Sequence, residues 1–333
     1  MHKLFPILSK KILYWYDNNK RILPWRAKVS KKKREYYVLI SEYMLQQTQV
    51  KTVIPYFVKF IKKIPSLKIL SNTSEKKVLK LWEGLGYYRR AKNLLKASKI
   101  LIKLYKGRIP KKIENLKRLP GVGDYTANAL LAIIHNYSYI PIDGNVKRVF
   151  ARLFYLDSND KDLNKKITEI RKQLPNNNIR NADLAEAFME FGATVCKPIN
   201  PLCFKCPMSD NCKSYKRKDF EIKLNNKFNK IKYFEANIYQ YKDKYLLIKN
   251  NKFKFLKNLL IFPMKEVEKN KFHSSQNKKI NIKMSNMNMR IVLNKKKKLI
   301  KVKNSYLLEK NKITDQVLPS FTKKIFSSVS NYS

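Results

Sequence analysis

Four cysteines in one short segment form the most specific chemical pattern of this chain. Cys196, Cys203, Cys206 and Cys212 follow the spacing C-x6-C-x2-C-x5-C, and the chain has no other cysteine. Structural zinc sites usually combine two C-x2-C pairs and bacterial ferredoxins use C-x2-C-x2-C-x3-C, so the spacing fits neither pattern. In a reducing compartment, grouped cysteines indicate metal ligation before disulfides. The segment is therefore a candidate metal centre.

A glycine-containing turn is the second pattern. Residues 119–127 read Leu-Pro-Gly-Val-Gly-Asp-Tyr-Thr-Ala between two helical stretches. Gly121 and Gly123, on either side of Val122, permit a tight hairpin because neither carries a Cβ. Backbone N–H groups in such a turn can point at a phosphate, aided by the positive end of the following helix. The pattern predicts a DNA-binding helix–hairpin–helix, with a purely structural turn as the alternative.

An acidic residue follows about twenty positions later. Asp143 lies in the segment Ile-Asp-Gly-Asn-Val-Lys-Arg (142–148), after an apolar stretch and before a basic helix. An Asp at such a position commonly only caps the helix, which is the interpretation that the segment alone favours.

The elements that would position these residues are mostly helical. Residues from about 36 to 215 read as successive amphipathic helices joined by short turns with Gly or Pro. After Cys212 a charged linker covers 213–232, and residues 233–249 alternate aromatic or β-branched with polar side chains, as a strand or hairpin does. A second, smaller domain containing β-structure is expected from about residue 228. All seven glycines lie at or before Gly192, so its turns must use Asn, Asp, Ser and Lys.

The charge of the chain points to a polyanionic partner. Its 333 residues include 73 Lys and Arg against 24 Asp and Glu, a formal charge of +49. Nucleic acid is the natural partner for such a surface, although an AT-biased coding sequence is an alternative source of the lysines. No apolar run is long enough for a membrane helix or a secretory signal, so we expect a cytoplasmic, nucleoid-associated protein without a membrane partner.

The hairpin, the Asp and the cysteine block occur in an order that resembles the endonuclease III superfamily of DNA glycosylases, over roughly residues 10–215. Within it, the chain looks like the MutY-type adenine glycosylases. The matching segments are Leu-Pro-Trp-Arg (23–26), Ser-Glu-Tyr-Met-Leu-Gln-Gln-Thr-Gln-Val (41–50), Trp-Glu-Gly-Leu-Gly-Tyr-Tyr (82–88) and Asp-Gly-Asn-Val-Lys-Arg (143–148). The resemblance implies removal of adenine mispaired with 8-oxoguanine or guanine from double-stranded DNA, by a monomer.

The resemblance also implies the fold. It predicts a mostly α catalytic region at 1–215, with a six-helix barrel-like domain over about 30–137. The N-terminal helix and about 138–215 would form an iron–sulfur domain that holds a [4Fe–4S] cluster through the four cysteines. A basic linker at 216–230 and a smaller, diverged, Nudix-like α+β domain at 231–333 complete the expected architecture.

The resemblance assigns the reaction to two carboxyls. Glu42 would be the general acid that protonates the base at N7, in a partly apolar pocket that raises its pKa. Asp143 would stay ionised and stabilise the sugar cation, with Tyr125 and Asn145 completing that side of the pocket. Bifunctional relatives carry a Lys nucleophile where this chain has Tyr125, and a phenol cannot form a Schiff base. We therefore expect a monofunctional glycosylase.

The resemblance also predicts the residues that contact DNA. Gln46 and Tyr87 match positions that insert where the base has left the stack. Arg26 and Glu186 match contacts to the flipped adenine, although Glu190, one helical turn away, competes with Glu186. Further DNA contacts are expected from Gln47, Thr48, Gly121, Val122, Gly123, Lys147 and Ser285, with positive charge beside them from Arg148, Lys197, Lys205 and Lys213.

The C-terminal domain departs from the family. Relatives read 8-oxoguanine with a Phe-Ser-His turn, and the nearest segment here is Met284-Ser285-Asn286. Discrimination of 8-oxoguanine from guanine is therefore an open question, and the absence of glycine after residue 192 predicts no nucleotide hydrolase activity.

Three rival functions are weaker. A non-catalytic DNA-binding protein does not need Glu42 or Asp143, and both are present. A bifunctional enzyme for oxidised pyrimidines needs a Lys at position 125. An electron-transfer ferredoxin fits neither the cysteine spacing nor the charge.

Overall fold

The computed structural model describes residues 4–156, 163–172, 180–220, 230–253, 255–284, 287–296, 305–312 and 316–330. The chain divides into two compact units. The first contains residues 1–73 and 93–225, and the second contains 74–92 and 226–333. The second unit thus begins within the predicted linker at 216–230, and it includes a segment that the sequence assigns to the six-helix domain. In the described part of the chain, no helix is both long and apolar enough to cross a membrane.

The first unit is helical. Two short 3-10 helices at Cys203–Lys205 and Ser209–Asn211 lie among the cysteines, and a third covers Pro24–Arg26. The α-helices of this part of the chain are α1 (Leu4–Asn19), α2 (Lys31–Leu45), α3 (Val50–Lys63), α4 (Leu67–Asn72), α5 (Glu75–Leu81), α6 (Arg89–Tyr105), α7 (Ile113–Lys117), α8 (Asp124–His135), α9 (Gly144–Phe154), α10 (Leu163–Lys172), α11 (Asn181–Thr194) and α12 (Lys213–Lys216); α5 and the start of α6 belong to the second unit.

One apolar core joins the N-terminal helix to the cysteine segment. Helices α1, α9, α10 and α11 pack their buried faces together, and Cys196, Cys206 and Cys212 lie against the same core. Trp15 of α1 meets Phe191 of α11 edge-on at 5.2 Å between ring centroids, and Phe150 lies 5.2 Å from Phe188. Such aromatic pairs add to the free energy of burial. This packing places α11 against the start of α9.

The second unit contains a mixed sheet and two further helices. The sheet has the order β3-β2-β1-β6-β5, with β4 on β1 and β7 on β2, and among its described strands β1 and β6 pair in parallel while the other pairs are antiparallel. Its apolar face packs against α14 through Phe321 and Ile325. The elements are β1 (Lys230–Tyr241), β2 (Lys244–Lys249), β3 (Leu260–Ile261), β4 (Met264–Val267), α13 (Lys269–Ser274), β5 (Lys279–Met284), β6 (Met287–Lys296), β7 (Ser305–Glu309) and α14 (Ser320–Ser330).

This architecture confirms the expected fold class, a mostly helical region followed by a smaller α+β region. The turns that follow β1 in the C-terminal region are made without glycine, as predicted, and Lys242, Leu256 and Asn258 take positive φ values there. Non-glycine residues in this backbone region carry a steric cost, largest for bulky side chains such as Leu256.

Candidate active site

Glu42 carries a buried carboxyl that has no hydrogen-bond partner in the described part of the chain. It lies near the C-terminal end of α2, where its side chain is only 5% exposed. Among the described residues, no group donates a hydrogen bond to its carboxyl. Burial, together with the nearby charges of Asp143 and Glu186, raises its pKa to about 8. Glu42 is therefore not an ordinary solvent-exposed glutamate. Its raised pKa favours the protonated carboxyl at neutral pH.

Asp143 is the N-cap of α9. Its Oδ1 accepts from the Val146 backbone N–H at 2.7 Å, and its Oδ2 accepts from the Asn145 amide at 3.1 Å. Burial raises the pKa of Asp143, but these hydrogen bonds and the charge of Arg148 act in the opposite direction. Glu42 has no such bonds, so Glu42 is the acid of the pair and Asp143 is the group with stabilised charge.

Tyr125 lies near both carboxyls. It occupies the first turn of α8, and the charges of Glu42 and Asp143 act on its hydroxyl together with burial to raise its pKa well above the usual value. The phenol therefore stays protonated, and it donates to Met189 Sδ at 3.4 Å. The three residues predicted to share a site thus influence one another's protons.

Arg148 ties Asn145 to the cysteine segment. Its guanidinium donates to Asn145 Oδ1 at 2.8 Å, to the Gly192 carbonyl at 2.7 Å and to the Cys196 carbonyl at 2.8 Å. Arg148 is buried, which corrects the expectation that it lies at the DNA backbone. Lys147, its neighbour, is half-buried and keeps that predicted role. The Asn145 amide that bonds to Asp143 is therefore oriented from behind by Arg148.

Gly192 allows this close approach. A Cβ built on it would lie 2.7 Å from Asn145 Cβ and 3.0 Å from the Asn145 backbone, so no side chain fits. Replacing it with alanine must push α11 away from the start of α9. Overpacking of this kind costs about 1–3 kcal/mol.

We expect Gly192→Ala to lower the thermal unfolding midpoint measurably, whereas Gly144→Ala should leave it near that of the unchanged protein. Gly144 is a matched control because it starts α9 and a Cβ on it would meet nothing within 4 Å. Equal midpoints for the two variants would show that α11 does not press on Asn145. Calorimetry on the full chain is the measurement.

The predicted hairpin is seated on α2. The Tyr43 hydroxyl donates to the Pro120 carbonyl at 2.6 Å, and the Gln46 amide donates to the Gly121 carbonyl at 3.1 Å. Gly121 has φ +84°, and a Cβ on it would lie 2.9 Å from the Asn93 amide nitrogen. Gly123 caps α8 with open space around it, so its backbone can be approached closely, and Val122 is buried.

The residues after α2 differ from expectation. Gln46 was expected to enter the DNA stack, but its amide also lies 3.3 Å from Thr126 Oγ1 and is bound to the hairpin. Gln47 is exposed and has φ +57°, a conformation that non-glycine residues adopt at a cost. The Thr48 backbone N–H donates a hydrogen bond to the Leu45 carbonyl at 3.1 Å. Gln47 is thus the exposed glutamine of this pair, and Gln46 is bonded to the hairpin.

Arg26 lies between the two competing glutamates. Its Nε is 3.0 Å from Glu186 Oε2, and its Nη1 donates to Glu190 Oε2 at 3.1 Å. The negative charge of Glu186 raises the pKa of Glu42, whereas the charge of Glu190 has no comparable effect on it. This favours Glu186 as the glutamate nearer to the reacting groups.

Tyr87 and Tyr88 differ in exposure. Tyr87 is 41% exposed with φ +48°, and the Arg90 guanidinium lies 5.3 Å from its ring centroid. Tyr88 is buried, and its hydroxyl donates to the Leu318 carbonyl at 3.4 Å within the second unit. Tyr88 is thus a core aromatic, and Tyr87 is the tyrosine that a ligand can reach.

The four cysteines line one cavity with apolar walls that include Val149, Leu153 and Phe191. The Met208 backbone N–H donates to Cys206 Sγ at 3.4 Å, and Arg152 Nη1 donates to Cys196 Sγ at 3.6 Å. Burial raises the pKa of the Cys206 thiol to about 12, so its thiolate needs a compensating cation. Lys197, Lys205 and Lys213 of this segment are exposed.

In the part of the chain that the structure describes, no three His, Cys, Asp or Glu side chains are grouped closely enough to hold one metal ion.

The predicted 8-oxoguanine contact cannot be placed. Ser285 and Asn286 lie outside the described residues, between the end of β5 at Met284 and the start of β6 at Met287.

Comparisons with known proteins identify the family of this chain. The model of a family described as HhH-GPD superfamily base excision DNA repair protein matches residues 40–174. An adenine DNA glycosylase of Buchnera aphidicola subsp. Baizongia pistaciae is 40% identical over 266 residues, 77% of this chain and 73% of that protein. The adenine DNA glycosylase of Homo sapiens is 39% identical over 217 residues, 63% of this chain and 40% of that protein.

Two solved structures share the helical fold. A thermostable thymine-DNA glycosylase superimposes with a TM-score of 0.56 at 28% identity, covering 65% of this chain and 98% of its own. A non-covalent endonuclease III–DNA complex superimposes with a TM-score of 0.55 at 20% identity, covering 66% of this chain and 98% of its own, which shows the fold alone.

Proposed function

Since the chain belongs to the adenine DNA glycosylase family, we propose that Glu42 and Asp143 hydrolyse the N-glycosidic bond of an adenine flipped out of duplex DNA. The enzyme is a monofunctional adenine glycosylase of base excision repair. The observation that carries the catalytic assignment is the Glu42 carboxyl, which is buried and without a hydrogen-bond partner among the described residues, in surroundings that raise its pKa to about 8. Buried carboxyls with strongly shifted pKa values cluster at functional sites.

Glu42 supplies the proton. An adenine leaves as a neutral base only when a ring nitrogen is protonated, and the acid must hold its proton near neutral pH. A pKa of about 8 meets this condition. After the bond has broken, the Glu42 carboxylate is the base that accepts a proton from the attacking water.

Asp143 stabilises the positive charge that develops on the sugar. Its orientation is fixed by Asn145 and by the Val146 N–H, so it need not reorganise as the charge appears. Tyr125 stands where a bifunctional enzyme would need an amine, and its protonated phenol forms no Schiff base. Strand cleavage is therefore not part of the reaction.

Cys196, Cys203, Cys206 and Cys212 fit a [4Fe–4S] cluster. They share one cavity, and N–H donors already point at two of the sulfurs. When bound, the cluster supplies a cross-link that fixes the segment around the cysteines. Arg148 connects this segment to Asn145 through the Cys196 carbonyl, so the cysteines support the position of Asp143.

The proposed substrate is double-stranded DNA with adenine opposite 8-oxoguanine or guanine, bound by a monomer. The hairpin at 119–123 offers backbone N–H groups to a phosphate, and the formal charge of +49 favours any duplex through counterion release. Lys147 and the exposed lysines of the cysteine segment add to this attraction, and Gln47 and Tyr87 are the exposed candidates for insertion.

The direct test is a cleavage assay on defined duplexes. Purified, cluster-loaded protein is incubated with duplexes that carry adenine opposite 8-oxoguanine, guanine or thymine, with and without later alkali. We expect breaks at adenine only after alkali, and more with 8-oxoguanine or guanine than with thymine. Breaks without alkali would contradict the monofunctional assignment, and binding without any cleavage would reduce the protein to a DNA-binding one.

The rate of adenine release should fall as pH rises. Glu42 must be protonated to act, so the rate is full below its pKa and decreases about tenfold per pH unit above about pH 8. Single-turnover rates measured from about pH 6 to about pH 9.5 check this. A rate that stays level across this range would show that Glu42 is not the proton donor.

A further inference from the structure

A buried network of ion pairs surrounds Arg26 in the first unit. We call it the arginine–glutamate network. Its members come from α1, the segment after α1, the 3-10 helix at Pro24–Arg26, α2 and α11, and they are Tyr16, Arg21, Arg26, Arg34, Glu186 and Glu190. Three cations and two anions thus share a small region in which few of the groups reach water.

Glu190 has no oxygen left for a ligand. Arg21 donates to it from its backbone N–H at 3.2 Å, from Nε and from Nη2 at 3.0 Å, and Arg26 donates from Nη1 at 3.1 Å. The residue is 1% exposed. Burial alone would raise the pKa of Glu190, but Arg21 and Arg26 lower it below its usual value, so the side chain is an anion. Both carboxylate oxygens of Glu190 therefore bind arginines of the protein, and neither is available to bind the base.

Arg26 is held by both glutamates. Besides its bond to Glu190, its Nε lies 3.0 Å from Glu186 Oε2, although the N–H does not point at that oxygen, and its guanidinium lies 5.5 Å from the Tyr16 ring centroid. Its side chain is 13% exposed. Among the described residues, the second terminal nitrogen, Nη2, makes no hydrogen bond. Arg26 thus has a fixed guanidinium with one donor nitrogen still available.

We propose that Glu190, itself held by Arg21, is a positioning residue that fixes Arg26 for hydrogen bonding to an acceptor nitrogen of the flipped purine. This rests on the proposed function. An arginine side chain loses rotamer entropy when it is ordered, and the contact to Glu190 orders it before the base arrives. Glu186, whose charge raises the pKa of Glu42, keeps its own proposed role as a contact to the base.

A double-mutant cycle tests this role. Glu190→Gln keeps the shape but loses the charge that holds Arg26, and we expect it to lower the single-turnover rate of adenine release about tenfold. Arg26→Ala should lower the rate by at least as much. Because Glu190 acts through Arg26, adding Glu190→Gln to Arg26→Ala should change the rate by less than about twofold. Multiplying effects would overturn the proposal.

Glu35→Gln is the matched control. Glu35 is also a buried glutamate, paired with Arg108 at 2.7 Å, and it bonds to the Ile109 N–H rather than to the network. Its substitution removes a comparable ion pair, so the thermal midpoint should fall while the rate of adenine release in folded protein stays within about twofold. A tenfold loss of rate here would mean that Glu190→Gln reports only general damage.

A duplex with a tetrahydrofuran residue in place of the target nucleotide separates base recognition from folding. It lacks the purine, so its affinity should be unchanged in Glu190→Gln, and a loss of affinity would overturn the positioning role. If Glu190→Gln does not fold, Arg21→Lys takes its place, since it keeps the charge and removes the two-point contact. Inactive wild-type protein would refute the proposed function itself, whereas multiplying effects in active protein refute only this inference.

Discussion

Glu42→Gln is expected to lower the rate of adenine release by at least about a hundredfold while duplex binding is retained. The amide has the size of the carboxyl but cannot transfer its proton to the leaving base. Because Glu42 is already neutral in the fold, the substitution adds no charge and removes none at neutral pH. The fold should therefore be at least as stable as before.

The measurement is the single-turnover rate on an adenine:8-oxoguanine duplex, developed with alkali, with fluorescence anisotropy for binding. Glu114→Gln is the control, since it makes the same chemical change at an exposed residue of α7. A rate of the variant within about threefold of wild type would show that another group is the general acid.

Asp143→Asn is expected to lower the same rate by about a hundredfold to a thousandfold, since a charge opposite a developing cation contributes that much to transition states. Asparagine is as good an N-cap as aspartate, so the bond from the Val146 N–H to the side-chain oxygen is kept. The effect on rate is thus separated from the effect on α9. Thermal midpoints of variant and wild type should be close.

Asp124→Asn is a matched control, because Asp124 starts α8 at the surface and pairs with Lys117 at 2.6 Å. It should leave the rate within about twofold of wild type. If Asp143→Asn also left the rate within about twofold of wild type, Asp143 would act only as the N-cap of α9.

Several features of this site follow from local sequence. Asp143 and the Val146 N–H that it caps are three residues apart, and Gly121 and Gly123 shape a turn of a few residues. Local hydrogen bonds and backbone sterics decide such features, so the printed order of residues predicts them. The helices of the first part of the chain and the strand after residue 230 were also predictable from the sequence, because the spacing of apolar residues differs between helices and strands.

Other assignments depended on partners far along the chain. Glu186 and Glu190 lie on one helix and look equivalent in the sequence, and Arg21, 169 positions before Glu190, decides between them. The i, i+3 spacing of Asn145 and Arg148 gives a weak signal of their bond, but only α11 and the Cys196 carbonyl show that Arg148 is buried.

By itself, the sequence determined the family, the two carboxyls, the tyrosine in place of a nucleophilic lysine and the four cysteines, because these depend on residue type and spacing. Only the tertiary structure decided which neighbouring residues are exposed and which are buried or bonded. Gln47 is exposed and Gln46 is bound to the hairpin, Tyr87 is exposed and Tyr88 is buried, and Arg148 is buried. The physical reason is that burial and hydrogen bonding belong to the packed assembly of distant segments, and adjacent residues in one motif face different surroundings once those segments meet.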